Sequence, residues 1–233
     1  MNIEEFFCGN NLANIGTADN PVDINATIGC GTKFGAVYGG CNLADIYGNV
    51  TLTIEGGTMD YVYGGSKGRL ADNTDPSNPI EAKAANINGD VILNIYGGQI
   101  GDAFGGSNIN GNITGSITVN MDWSLASTDC NTDLSLGNVY GGSNLAAYAP
   151  TTAGNYPAVN IYHGTVTHSV FGGGKGATAV VTSNPIVTIG DDNANHYAVV
   201  TENVYGGGDA AAVTGNTRVL YNDNNASSTV NNL

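Results

Sequence analysis

The side chains best suited to chemistry in this sequence are a scattered set of acids, three histidines and two arginines. Asp133, in Asn131-Thr132-Asp133, and the adjacent pair Asp191 and Asp192 could serve as general acid and base on a glycosidic bond, a reaction that needs two carboxyls roughly 5 to 10 Å apart. His163 could move a proton beside them. Abstraction of a sugar proton would instead fall to a basic residue, with Arg69 or Arg218 as the candidates. The competing reading of Asp191-Asp192-Asn193 is a loop of turn formers. Trp123, the only tryptophan, could stack on a sugar or cap a core. Gly206-Gly207-Gly208-Asp209 has the outline of a calcium loop, but one aspartate cannot supply the six to eight oxygens that calcium takes. No metal site is therefore expected and no cofactor, calcium being the one ion worth considering. His163, His168 and His196 are too dispersed for a zinc cluster, and Cys8, Cys30, Cys41 and Cys130 lack the spacing of one. A disulfide among Cys8, Cys30 and Cys41 competes with a reading of small buried thiols.

What must position these residues is a repeat. Seven times an aromatic ring precedes a glycine-rich step, at Phe7, Tyr38, Tyr63, Phe104, Tyr140, Phe171 and Tyr205, and subtraction of residue numbers places successive rings 25 to 41 residues apart. Such spacing marks a repeat architecture with variable insertions, in which each unit leaves a face for its neighbour to cover. Between the rings, apolar and polar residues alternate as in half-buried strands: Val50-Leu52-Ile54, Val91-Leu93-Ile95, Ile117-Val119-Met121, Val159-Ile161, Val187-Ile189 and Val219-Tyr221. A third signal recurs at Ile46-Tyr47-Gly48, Ile87-Asn88-Gly89, Ile113-Thr114-Gly115 and Val213-Thr214-Gly215. Three strand-like pieces per unit and no helical period predict an all-β solenoid of about seven coils, each with three short strands, closing into a parallel β-helix. Like residues should then lie over like. Asn11, Asn42, Asn108 and Asn144, each four positions after a ring, could form an amide ladder, interrupted by Lys67, Lys175 and Asp209. The rings could pack inward as architecture, or Tyr38, Tyr63, Tyr140 and Tyr205 could face outward as a platform for sugars. The longest insertions, around Asp72-Asn73-Thr74-Asp75-Pro76 and from Trp123 to Asp133, are the candidate functional rims.

The repeats run the length of the chain, so residues 1–233 read as a single β-helix domain, either complete or a segment of a longer array. Glycine occupies 35 positions and only 11% of residues are charged, but 41% are hydrophobic, enough to fold. The net charge of −14 opposes nucleic acid, anionic membrane and polyanionic sugar. No apolar run reaches the roughly 18 to 20 residues that would span a bilayer, and no signal peptide begins the chain. The Asn- and Gly-rich, Lys-poor composition suits a secreted or cell-surface bacterial protein.

With the recurring Val-Tyr-Gly-Gly at residues 37–40, 62–65, 139–142 and 204–207 in view, the chain resembles the right-handed parallel β-helix proteins of the pectin-lyase-like superfamily, and within it the Tyr-Gly-Gly repeat proteins of gut bacteria. Right-handedness is implied by the resemblance and by the bias of parallel crossovers. The polygalacturonase-like set of Asn-Thr-Asp, Asp-Asp, Gly-His-Gly and Arg-x-Lys appears only in fragments and out of order: His163 precedes Asp191-Asp192, and Val219-Leu220 stands where a basic end is needed. The expected function is therefore a non-catalytic extracellular module, an adhesin or scaffold presenting loops to carbohydrate or protein. The alternative is a pectinase-like hydrolase or lyase. A polysaccharide or surface glycan is the expected partner. Unprotected β-helix ends would favour end-to-end or lateral homo-oligomers.

Overall fold

The computed structural model describes residues 2–128, 130, 135–222 and 228–232. Its strands are β1 (Asn2–Phe7), β2 (Ile24–Ile28), β3 (Lys33–Tyr38), β4 (Val50–Ile54), β5 (Thr58–Tyr63), β6 (Val91–Ile95), β7 (Gln99–Phe104), β8 (Ile117–Asp122), β9 (Ser135–Tyr140), β10 (Pro157–Val166), β11 (Val170–Phe171), β12 (Ile186–Ile189), β13 (Ala198–Tyr205), β14 (Arg218–Tyr221) and β15 (Thr229–Asn232). All strand pairs are parallel and join equivalent segments of successive repeats. This is the expected parallel β-helix solenoid.

Two faces carry the strands. The first stacks β1, β3, β5, β7, β9, β11 and β13, and the second stacks β2, β4, β6, β8, β10, β12 and β14. Strand β10 belongs to both: Ala158 to Ile161 pair with β8 and β12, a bulge follows at Ile161/His163, and Gly164 to Val166 pair with β13. On the third face the repeat shrinks to one paired residue per coil. Ile15, Ile46, Ile87 and Ile113 form one parallel column, and Tyr148, Val181 and Val213 another. Ile15, Tyr148 and Val181 lack the x-Gly signature of their equivalents and were visible only by position.

The alternating residues face the interior. Leu52, Leu93, Val119, Val159 and Val187 are buried, as are Val37, Val62, Ala103, Val139, Val170 and Val204, which precede each ring. Glycine then turns the corner for a steric reason: a Cβ on Gly64 would lie 2.5 Å from the Gly105 carbonyl oxygen and 2.9 Å from Val91. At the second corner Gly57 and Gly98 adopt φ of +92° and +95°, which L side chains resist.

Just past three of the Gly-Gly steps, the buried corner carries a serine hydroxyl. The Ser66 Oγ accepts from Cys41 N–H (3.1 Å), the Ser107 Oγ from Ser66 N–H (3.2 Å) and the Ser143 Oγ from Ser107 N–H (3.0 Å), while the Cys41 thiol stands at the same rung beneath Asn10 N–H (3.2 Å). Each side chain thus satisfies one amide that the tight corner takes out of the ladder. Ser107→Ala is expected to cost about 1 to 3 kcal/mol in chemical denaturation, because it strands a buried N–H. Cys41→Ser, which keeps an acceptor, should stay within about 1 kcal/mol.

Sequence offered Cys8, Cys30 and Cys41 as disulfide partners; the bond that forms is Cys30 with Cys130, Cα to Cα 5.2 Å, while Cys8 and Cys41 are free thiols. Cys8 and Cys41 occupy different columns: Cys8 N–H bonds the Tyr38 carbonyl, and Asn10 lies against Cys41. Cys130, which follows β8, meets Cys30, which follows β2 three coils away, at the second corner, where a Cβ on Gly56 would meet the Cys130 Sγ at 2.8 Å. Burial pushes the Cys8 thiol up to about 11.

Candidate functional site

From Tyr38 onward the rings point to the outer side of the first face, since each follows an inward valine or alanine. Phe7, Tyr38, Tyr63, Phe104, Tyr140, Phe171 and Tyr205 form one column with centroids 4.6 to 5.0 Å apart and planes within 13° of parallel, so every interior ring spends both faces on its neighbours. Tyr38 is 1% exposed, and Tyr63 and Tyr140 are equally closed off, whereas Tyr205 at the end is 45% exposed. Polar clasps cover the ring edges. Lys67 Nζ reaches Glu5 (2.7 Å), Lys175 Nζ reaches Asp102 (2.8 Å) while standing 5.7 Å from the Tyr140 centroid, and the Tyr38 hydroxyl donates to Glu5 and accepts from Asn108. On either side of Lys67 the amides pair as expected of a ladder, Asn42 to Asn11 and Asn144 to Asn108. Burial, above all, pushes the Tyr38, Tyr63 and Tyr140 hydroxyls well above the usual phenol range.

The second face carries a different surface. Its outward columns run Thr118, Ala158, Ile186, Arg218 and Asn120, Asn160, Thr188, Leu220 across four coils. Here Ala158 stands between the larger Thr118 and Ile186, and the dip it leaves is part of a groove of about 490 Å³ whose margin includes the 37% exposed Tyr156. Asn94, Asn120 and Asn160 form an amide ladder that leads into it, Asn120 Nδ2 donating to Asn94 Oδ1 and Asn160 Nδ2 to Asn120 Oδ1, both at 3.0 Å. At about 4.8 Å per strand step, four coils give a groove roughly 14 Å long. Among the described residues its lining is hydroxyl, amide, aliphatic and one phenol, with no charged group.

The sequence candidates for catalysis meet only in part. His163 and Asp191 come together at the corner between β10 and the turn that joins β12 to β13, with Asp122, His196 and Tyr197 as companions that periodicity did not single out. Asp191 Oδ2 pairs with His196 Nδ1 (2.8 Å), Asn193 Nδ2 lies 2.9 Å from His196 Nε2, and His163 Nδ1 accepts the Tyr197 N–H (3.1 Å). Both nitrogens of His196 and the inner nitrogen of His163 therefore hold the loop together. Asp122 was within reach of the sequence, because it ends the β8 alternation and falls in register with His163; nothing local marked His196. Asp192 accepts from Asn222. Arg218 opens β14 beside Ile186 on the outer second face. Asp133 lies outside the described residues. Trp123 is half-buried against the core and lies flat on Gly164, whose Cβ would be 2.4 Å from the indole, so a face that could stack on sugar covers backbone instead. In the first long insertion the Arg69 guanidinium bonds the Glu81 carbonyl, and Asp72 pairs with Ile80 in a short antiparallel excursion. Among the described residues no group of three His, Cys, Asp or Glu side chains is placed to hold a metal ion, and no helix is long and apolar enough to cross a membrane.

No family model, curated protein or solved structure matches this chain. The functional reading therefore rests on surface chemistry.

Proposed function

We propose that this protein is a non-catalytic β-helix module that binds neutral polysaccharide along its second face. The single observation behind this reading is the groove around Tyr156, Ala158, Asn160 and Thr188, which is uncharged in a protein of net charge −14. An aliphatic floor with a phenol, amides and hydroxyls at its margin matches the amphipathic surface of a sugar, whose axial hydrogens want apolar contact and whose hydroxyls want partners. The surrounding negative field repels polyanions and leaves neutral chains unaffected. Running along the solenoid axis, the groove suits an extended chain held by successive coils. The Cys30–Cys130 disulfide supports an extracellular or cell-surface location, since such bonds persist in oxidising compartments. Membership of the pectin-lyase-like superfamily and of the Tyr-Gly-Gly repeat group belongs to the same proposal and rests on the recurring motif.

The test is retention on an array of neutral and acidic polysaccharides, followed by calorimetry. Ala158→Tyr, which fills the groove from an outward position, and Tyr156→Ala should each weaken binding tenfold or more, about 1.4 kcal/mol, with the circular dichroism unchanged. Retention of no glycan, or binding indifferent to both substitutions, would overturn the proposal. Release of reducing ends that disappears in Asp191→Asn would replace it with the pectinase-like alternative.

A further inference from the structure

We propose that the turn joining β12 to β13 is a latch on β10 that opens when His163 takes up a proton. Two hydrogen bonds hold the latch: Gly164 N–H donates to the Tyr197 carbonyl at 2.8 Å, and Tyr197 N–H donates to His163 Nδ1 at 3.1 Å. The second requires the neutral ring with its proton on Nε2. Protonation at Nδ1 turns the acceptor into a donor facing another donor, so this bond is lost without a substitute. It also creates a cation beside the His196 ring, whose centroid is 5.3 Å away, and against the Tyr197 ring at 4.3 Å.

Among the described residues, the groups facing His163 are Asp122 from β8, Asp191 and His196 from the turn, and Tyr197 just before β13. Their balance sets the sign. Burial, first, and the neighbouring His196, second, hold the His163 ring below its ordinary value of 6.5, while Asp122 and Asp191 pull the other way without prevailing. A histidine that binds its proton less tightly when folded contributes its full stability above 6.5 and loses it as pH falls below that value. His196 is tied within the turn itself, Nδ1 to Asp191 and Nε2 to Asn193. The latch is therefore closed at neutral pH and released on acidification, uncovering Tyr197 and the start of β13 at Ala198. The rest of β13 stays paired with β11 through Val204 and Tyr205, so the opening is local.

The decisive measurement is NMR on the intact chain between pH 7.5 and 5.0, following the His163 ring and amide exchange at Tyr197 and Gly164, the donors of the two latch bonds. Protection of both amides, corrected for intrinsic exchange, should fall tenfold or more with the midpoint of the His163 titration. Val204 should keep its protection. His163→Asn, whose side-chain oxygen can replace Nδ1 as a non-titrating acceptor, should abolish the pH dependence. The proposal is overturned if His163 titrates while Tyr197 keeps its protection, if His163 does not titrate above pH 5.0, or if the Asn variant loses protection as the native chain does.

Discussion

Cys130→Ser is expected to lower stability by about 4 to 5 kcal/mol and the melting temperature by on the order of 10 °C or more. The bond joins residues 100 apart, so cutting it returns to the unfolded chain the freedom of a loop that spans coils 1 to 4. Because each coil of a solenoid touches only its neighbours, the loss should be uneven. Hydrogen-exchange protection should fall most in β4, β6 and β8, which lie inside the closed loop, and least in β12 and β14, beyond it. Native protein in reductant should melt with the variant. Equal melting temperatures with and without reductant would show that the staple contributes nothing.

Phe104→Ala should cost about 3 to 5 kcal/mol, the range for emptying a buried aromatic site. This ring lies mid-column, 4.9 Å from Tyr63 and 4.7 Å from Tyr140, so its loss opens two stacked contacts of the six and leaves a gap that rigid neighbouring coils cannot close. Each contact adds roughly 0.5 to 1.5 kcal/mol beyond area burial. Phe104→Tyr should fall within about 1 kcal/mol of the native chain, since the rings above and below are tyrosines whose hydroxyls already find room at the column edge. A native-like melting temperature for the alanine variant, measured by circular dichroism, would mean that the column follows the fold and does not stabilise it.

The ring column also shows what could be read in advance. Recurrence of Val-Tyr-Gly-Gly, with strict alternation between copies, required parallel strands in register, because a slip of one residue would turn each valine outward and each ring inward. Hence Tyr38 over Tyr63 was legible from residues alone. Whether the rings faced water was not, since the residue before each is apolar as well. The answer depended on neighbours distant in sequence: Lys175 lies 73 residues from its partner Asp102, and Lys67 lies 62 from Glu5. The groove was invisible for a related reason. Ala158 is unremarkable in its own strand and becomes the floor of a dip only beside Thr118 and Ile186, which stacking brings next to it.

Sequence alone determined the periodic part of this protein: the coil, its parallel register, the buried valines and the glycine corners. Those follow from local sterics and a burial pattern that every repeat restates. Tertiary structure decided what happens where repeats differ. It chose Cys130 over Cys8 and Cys41 for Cys30, because an insertion can cross three coils while adjacent motifs stay in separate columns. Likewise it gathered Asp122, His163, Asp191 and His196 at one corner through a bulge in β10. Insertions and bulges carry no period, and their side chains find partners only after the coils have set the distances between them.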